Sequence, residues 1–290
     1  MNKTIVFKLI PTLYFGVNIT INYFLYTHQS IPIKESEVLI VGDSHPMMSL
    51  NPKYFHDSQN ISQTGEPFVL TYWKLKKIFN VYIPDTIIIG FAPHNISQFN
   101  DWKFSHEKWS YEIFERSYPI QEFNKISIDF LAFYKTLWKQ IAFYPKKDHI
   151  NYIGGYSNKN GSDLSDSIGS IKRHYYENGN ELGVSEFAVN YLDSIVELCD
   201  SKKTELIMVS NPVHNQYLRN IPIAIMEKYV DLTKKHDINH IVFDKTTVNY
   251  PDSLYFNSDH LNEKGAKKFT SELIEFLKTT NASQVGKGDL

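Results

Sequence analysis

The chain has 290 residues, of which 42% are hydrophobic and 21% charged, with a formal net charge of −2. That is room for one sizeable α/β domain with an insertion, and it excludes a disordered chain. The near-neutral charge removes any global electrostatic case for nucleic acid, and the single cysteine excludes an internal disulfide and a multi-cysteine metal site.

The first expected element is residues 5–26 (IVFKLIPTLYFGVNITINYFLY), about long enough to cross a bilayer. Lys8, Pro11, Asn18 and Asn22 interrupt the run, and Tyr23, Phe24 and Tyr26 suit an interfacial belt. Lys3 and Lys8 at its start, against Glu35 and Glu37 after it, predict a single-pass anchor with the main domain extracytoplasmic. A cleaved signal peptide and a buried helix are the alternatives. Residues 1–30 are therefore assigned to the anchor, 31–280 to an α/β domain and 281–290 to a flexible tail.

A linker follows at 28–35, and then the buried strand Val38-Leu39-Ile40-Val41, ending at Gly42. Helical spacing covers 67–79, and 86–90 (TIIIG) is a second apolar strand. Residues 126–144 have the pattern of an aromatic amphipathic helix, and 151–170 is rich in Gly, Ser, Asn and Asp, as a loop requires. The region from about 100 to 180 is thus expected to be a helical and loop insertion covering the site. Further on, 184–202 is a helix containing Cys199 as a small core residue, 205–209 a strand, 221–236 a helix, 241–243 a strand and 263–278 the closing helix. Alternating strands and helices predict a parallel sheet with helices on both faces, its reactive groups at the carboxyl ends of the strands.

Two segments carry chemistry. Gly42-Asp43-Ser44-His45 follows the first apolar strand, where a sharp turn would expose a serine hydroxyl that needs a base to become nucleophilic. Asn257-Ser258-Asp259-His260-Leu261-Asn262 precedes the closing helix, where His260 is positioned to be that base and Asn262 to cap the helix. No metal-ligand spacing and no phosphate-binding glycine loop is found, so neither metal nor cofactor is expected.

Together, the GDS after the first strand and the HLNEKGA stretch before the last helix resemble the SGNH/GDSL hydrolase superfamily. The resemblance implies a three-layer α/β/α fold with a parallel, flavodoxin-like sheet. It also implies an oxyanion hole, for which Gly65 and Asn95 are the matching residues, with His94 as a substitute because the G-x-N spacing is stretched here. The family's acid stands three residues before its histidine, where this chain has Asn257. Asp259 is the first choice for the acid, although adjacent residues rarely place their side chains for a mutual hydrogen bond; Asp252, Asn257 acting alone, and no acid stay open. His214 is read as a turn residue, with a substrate-facing role as the alternative, and Arg173 to Tyr176 as a weaker glycan contact.

The implied function is a serine-dependent acyl-ester hydrolase or an O-acyltransferase acting on a cell-envelope glycan. The resemblance to membrane-tethered polysaccharide O-acetylation proteins implies a multispanning membrane acyltransferase as partner. The alternative is a membrane-tethered binding or assembly protein that keeps the fold without turnover.

Overall fold

A computed structural model describes residues 3–27, 33–104, 110, 113, 131, 135, 153–165 and 167–285. The chain divides into two compact units, residues 1–33 with 102–153, and residues 34–101 with 154–290.

The first unit contains helix α1 (Lys3–Thr27), with Pro11 inside it. Two of its polar side chains fold back on the helix: Asn18 Nδ2 donates to Tyr14 O at 2.9 Å and Thr20 Oγ1 to Gly16 O at 2.9 Å. The helix expected at the N-terminus is present, but the apolarity expected of a span is not. Among the described residues no helix is long and apolar enough to cross a membrane. The amphipathic helix expected at 126–144 lies almost wholly outside the described residues.

The second unit runs β1 (Val38–Val41), α2 (Ser44–Ser49), β2 (Ser58–Asn60), α3 (Phe68–Ile78), β3 (Thr86–Gly90), α4 (Ser167–Tyr175), β4 (Tyr176–Glu177), β5 (Asn180–Glu181), α5 (Glu186–Lys202), β6 (Glu205–Ser210), α6 (Asn215–Leu218), α7 (Ile223–His236), β7 (Ile241–Asp244) and α8 (Glu263–Val285). Five strands form one parallel sheet in the order β2-β1-β3-β6-β7. Counting sheet strands alone, that is 2-1-3-4-5, the doubly wound order of a flavodoxin-like sheet. The short pair β4 and β5 is a separate antiparallel hairpin. Helix α8 continues to Val285, past the tail boundary expected at 280.

Side chains alternate across the sheet, so each central strand feeds two cores. Ile40, Ile88, Ile207, Val209 and Phe243 pack with Phe269 and Leu273 of α8 and with Tyr250, Tyr255 and Leu261 from the segment before it. Leu39, Val41, Ile87, Ile89, Leu206 and Met208 are buried on the other face. There α3 packs against α5 through buried surfaces that include Trp73 and Leu192. Helices on both faces of the parallel sheet give a three-layer α/β/α unit. β1 and β3 are adjacent, and the chain leaves β1 for β2 on one side and reaches β3 on the other. Their carboxyl ends therefore frame the crevice where such sheets hold ligands.

Candidate active site

The turn after β1 is built around Gly42. Its φ of +126° strains any residue with a Cβ, and a Cβ there would sit 3.0 Å from Pro46 Cγ and 3.2 Å from Gly90 N. Asp43 caps α2, its Oδ1 accepting from His45 N at 2.9 Å, which sets Ser44 at the first position of the helix. Asn60, at the end of β2, donates from Nδ2 to Pro46 O and Leu50 O, both at 2.9 Å, and ties the short helix to the sheet edge.

His260 arrives from the other end of the chain. Asn262 caps α8, accepting from Lys264 N and Gly265 N at 3.1 Å, while its amide donates to Ser253 O, Tyr255 O and Gly161 O. The loop before it closes through the antiparallel bridge between Tyr255 and Leu261. Inside the loop, Asn257 Oδ1 accepts from His260 N at 2.9 Å and Asp259 N at 3.3 Å. These bonds hold the imidazole with Nε2 at 2.7 Å from Ser44 Oγ and Nδ1 at 3.0 Å from Asn257 Oδ1. Because Asn257 Oδ1 takes two backbone N–H groups, it is the oxygen that faces Nδ1. Nδ1 thus carries the proton, and the lone pair of Nε2 is directed at the Ser44 hydroxyl.

Asp259 Oδ1 also lies 3.3 Å from His260 Nδ1, so chain adjacency does not keep the two side chains apart as the sequence suggested. Asp259 is fully buried; Ser170 Oγ donates to its Oδ1 at 2.8 Å and Arg173 stands 3.9 Å from its Oδ2. Burial opposes its charge, yet His260, His174 and His45 outweigh burial and hold the carboxyl well below the usual range. Asp252, the other acid considered, is 3.3 Å from His214 Nε2 instead. His214 itself caps α6, accepting from Gln216 N, which is the turn role.

Asn95 and His94 follow β3 on a 3-10 turn, Pro93–Ile96. Asn95 Oδ1 accepts from Ala92 N at 2.8 Å, and its Nδ2 donates to Asp43 Oδ2 at 2.7 Å. His94 Nε2 reaches the same oxygen at 2.5 Å. The amide expected to face the oxyanion is therefore engaged by the residue before the nucleophile. Burial raises the Asp43 carboxyl, but His94 and His45 overcome it and hold the group far below the carboxylate range. Gly65 lies in the turn after β2 with a φ of +65°, at the same end of the sheet. The neighbouring chain is braced by a buried pair: Lys74 Nζ donates to Ile61 O at 2.7 Å and lies 2.6 Å from Glu66 Oε2.

Three features went unseen in the sequence. His45 is buried, with its ring 4.3 Å from that of His94 and 5.2 Å from that of His260. Burial, then His94, pushes it down to about 3, so it is neutral at ordinary pH. His174 of α4 stacks on His94 at 4.8 Å, and its Nδ1 is hydrogen-bonded to Tyr217 Oη at 2.7 Å. His174 and Tyr175 are thus buried behind the site rather than presented to a glycan. Finally, His45, Asp259 and His260 each offer one ligand atom, all within 4.8 Å of one another, a grouping that linear spacing did not reveal.

No family model matches the chain, and no curated protein matches it. Solved structures do resemble it. A protein from Bacteroides fragilis provisionally described as an acylhydrolase is 11% identical, with 88% of this chain and 93% of that one covered and a TM-score of 0.41. A GDSL-like lipase from Bacteroides thetaiotaomicron is 10% identical over 91% and 98%, TM-score 0.42. A protein from Streptococcus pneumonia provisionally described as a platelet activating factor is 12% identical over 95% and 100%, TM-score 0.41. At these identities and scores, the functional reading rests on the chain's own topology and on the hydroxyl, imidazole and acceptors gathered at the β1–β3 crevice.

Proposed function

We propose that this protein is an SGNH-type serine acyl-ester hydrolase with Ser44 as nucleophile and His260 as general base. The observation that carries the reading is the 2.7 Å contact between Ser44 Oγ and His260 Nε2, with acceptors behind Nδ1. Ser44 Oγ attacks the ester carbonyl as its proton passes to Nε2. The imidazolium so formed has Asn257 and Asp259 on its far side, and the buried carboxylate of Asp259 stabilises the positive charge. The same proton then goes to the departing alkoxide. Water, deprotonated by the returned base, releases the acyl group from Ser44.

The tetrahedral oxyanion is given to backbone N–H groups of the Ser44 and Gly65 turns, with Asn95 as the third donor of the family pattern. One such donor typically lowers the barrier by about 3 kcal/mol. Since Asn95 Nδ2 already serves Asp43, its first role in this reading is to hold the nucleophile turn.

A sugar hydroxyl in place of water would make the enzyme an O-acyltransferase on a cell-envelope glycan. That acceptor, attachment to a membrane through α1 and a multispanning acyltransferase partner belong to the same proposal. The exposed apolar side chains Leu9, Ile10, Leu13, Val17 and Phe24 support contact between α1 and an apolar phase. The rival is a binding protein without turnover.

Fluorophosphonate labelling separates an enzyme with an activated Ser44 from the binding protein. Wild type is expected to label, Ser44→Ala not at all, and His260→Ala far more slowly. Well-folded wild type that fails to label favours the binding protein.

A further inference from the structure

Ester hydrolysis uses Asp259 through Oδ1 and leaves the buried ring of His45 beside Ser44 without employment. His45 is 3% exposed, and neither ring nitrogen has a hydrogen-bond partner among the described residues. Asp259 is 0% exposed, and its Oδ2 has no hydrogen bond there, only the ion pair with Arg173 at 3.9 Å. Folded proteins rarely leave such groups unpaired, and those that are unpaired commonly face a water, an ion or a ligand. Here His45, Asp259 and His260 each offer one ligand atom, all within 4.8 Å of one another.

We propose that His45, Asp259 and His260 bind one divalent transition ion of the zinc type, and that the bound ion silences Ser44. Two imidazoles and one carboxylate are a borderline donor set, suited to zinc and unlike the all-oxygen shells of magnesium or calcium. Bonds of about 2 Å require the donor atoms to come closer together. That movement falls to His45, whose ring has no hydrogen bond to break.

Silencing follows from the imidazole itself. A neutral imidazole has one free lone pair, and a metal consumes it. If the ion takes His260 Nδ1, the ring proton moves to Nε2, which then donates to Ser44 Oγ and cannot accept its proton. If the ion takes Nε2, the contact with Ser44 is lost. Ligation and general-base catalysis therefore exclude each other at His260. The silencing half rests on the proposed hydrolase reading; the binding half does not.

The test uses the full chain, stripped with a chelator and titrated with zinc alone by calorimetry, beside fluorophosphonate labelling of the same samples. One zinc per chain is expected, with labelling suppressed at least 10-fold at one equivalent and restored by EDTA. His45→Phe and His45→Gln are each expected to lose at least 10-fold in zinc affinity. Their labelling, compared with their own metal-free rate, is expected to resist zinc. Absence of stoichiometric binding overturns the proposal and leaves a bridging water as the partner of His45. Equal affinity in both His45 variants also overturns it, placing zinc on other histidines. Zinc that binds without slowing the label overturns the silencing. Metal-free wild type that does not label defeats the hydrolase reading, while the calorimetry still tests the site.

Discussion

Asp259 and His260 are neighbours in the chain, yet Oδ1 of one and Nδ1 of the other are 3.3 Å apart. The loop achieves this by turning around Asn257, whose side-chain oxygen gathers the backbone N–H groups of both. One imidazole N–H thus has a neutral amide as its hydrogen-bond acceptor and a buried carboxylate beside it. Only the carboxylate stabilises an imidazolium by charge. Asp259→Asn should lower turnover of an activated ester such as p-nitrophenyl acetate by about 10²–10⁴-fold. Asn257→Ala should cost less in turnover and more in melting temperature, because it frees two backbone donors. Asn257→Asp placed in the Asp259→Asn background should recover at least 10-fold. Full activity in Asp259→Asn would remove the acid role from this residue.

The serine, the histidine and four of the five sheet strands were legible because each is marked locally. Val38 to Val41 and Thr86 to Gly90 are unbroken apolar runs, and His260 stands just before a helix cap. β2 was not, since Ser58-Gln59-Asn60 is three polar residues whose strand state comes only from pairing with β1. The hairpin at 176–181 is two residues per strand and equally silent. His94 and His174 were missed as supports because their contacts join residues far apart in sequence: Asp43 meets His94 across 51 positions, and His174 meets Tyr217 across 43. Asn95 was placed by resemblance at the oxyanion, and only the folded turn reveals Asp43 as its partner.

That partnership separates two roles for Asn95. If the amide chiefly holds the nucleophile turn, Asn95→Ala should lower unfolding free energy by about 1–3 kcal/mol, the cost of a buried bond to a charge. Its effects on stability and turnover should then overlap with those of Asp43→Asn, with a coupling above about 0.5 kcal/mol in the double mutant. An amide acting mainly on the oxyanion would instead lose about 10²–10³-fold in kcat with stability unchanged and effects additive.

At Gly90, β3 lies directly against Pro46 of the nucleophile helix. A Cβ there would lie 2.5 Å from Pro46 Cδ and 2.6 Å from Pro46 Cγ. The proline ring is part of α2 and cannot swing aside as a flexible side chain would, so the helix carrying Ser44 must shift. Gly90→Ala should cost about 1–3 kcal/mol by overpacking and slow fluorophosphonate labelling together. A stable variant with normal labelling would mean that α2 floats free of β3.

The buried pair behind the Gly65 turn makes a pH prediction. Lys74 and Glu66 are 1% and 0% exposed, and Thr71 Oγ1 donates to the same carboxyl at 2.7 Å. Burial raises Glu66 to about 6, against 4.5 for the ordinary group, because the favourable contacts with Lys74 and Thr71 only partly offset desolvation. Between these two values the unfolded chain has lost a proton that the folded chain keeps. The contribution is therefore fully present below pH 4.5 and is lost as pH rises through about 6. Its size is about 2 kcal/mol, since each tenfold gain in proton affinity is worth roughly 1.4 kcal/mol. Glu66→Gln keeps the shape and an acceptor for Thr71 but cannot ionise. Wild-type stability relative to Glu66→Gln, measured by urea unfolding at half-unit steps from about pH 4 to 7, should fall across that window and level off above it. A flat difference would mean that Glu66 ionises at its ordinary value and that Lys74 fully compensates its burial.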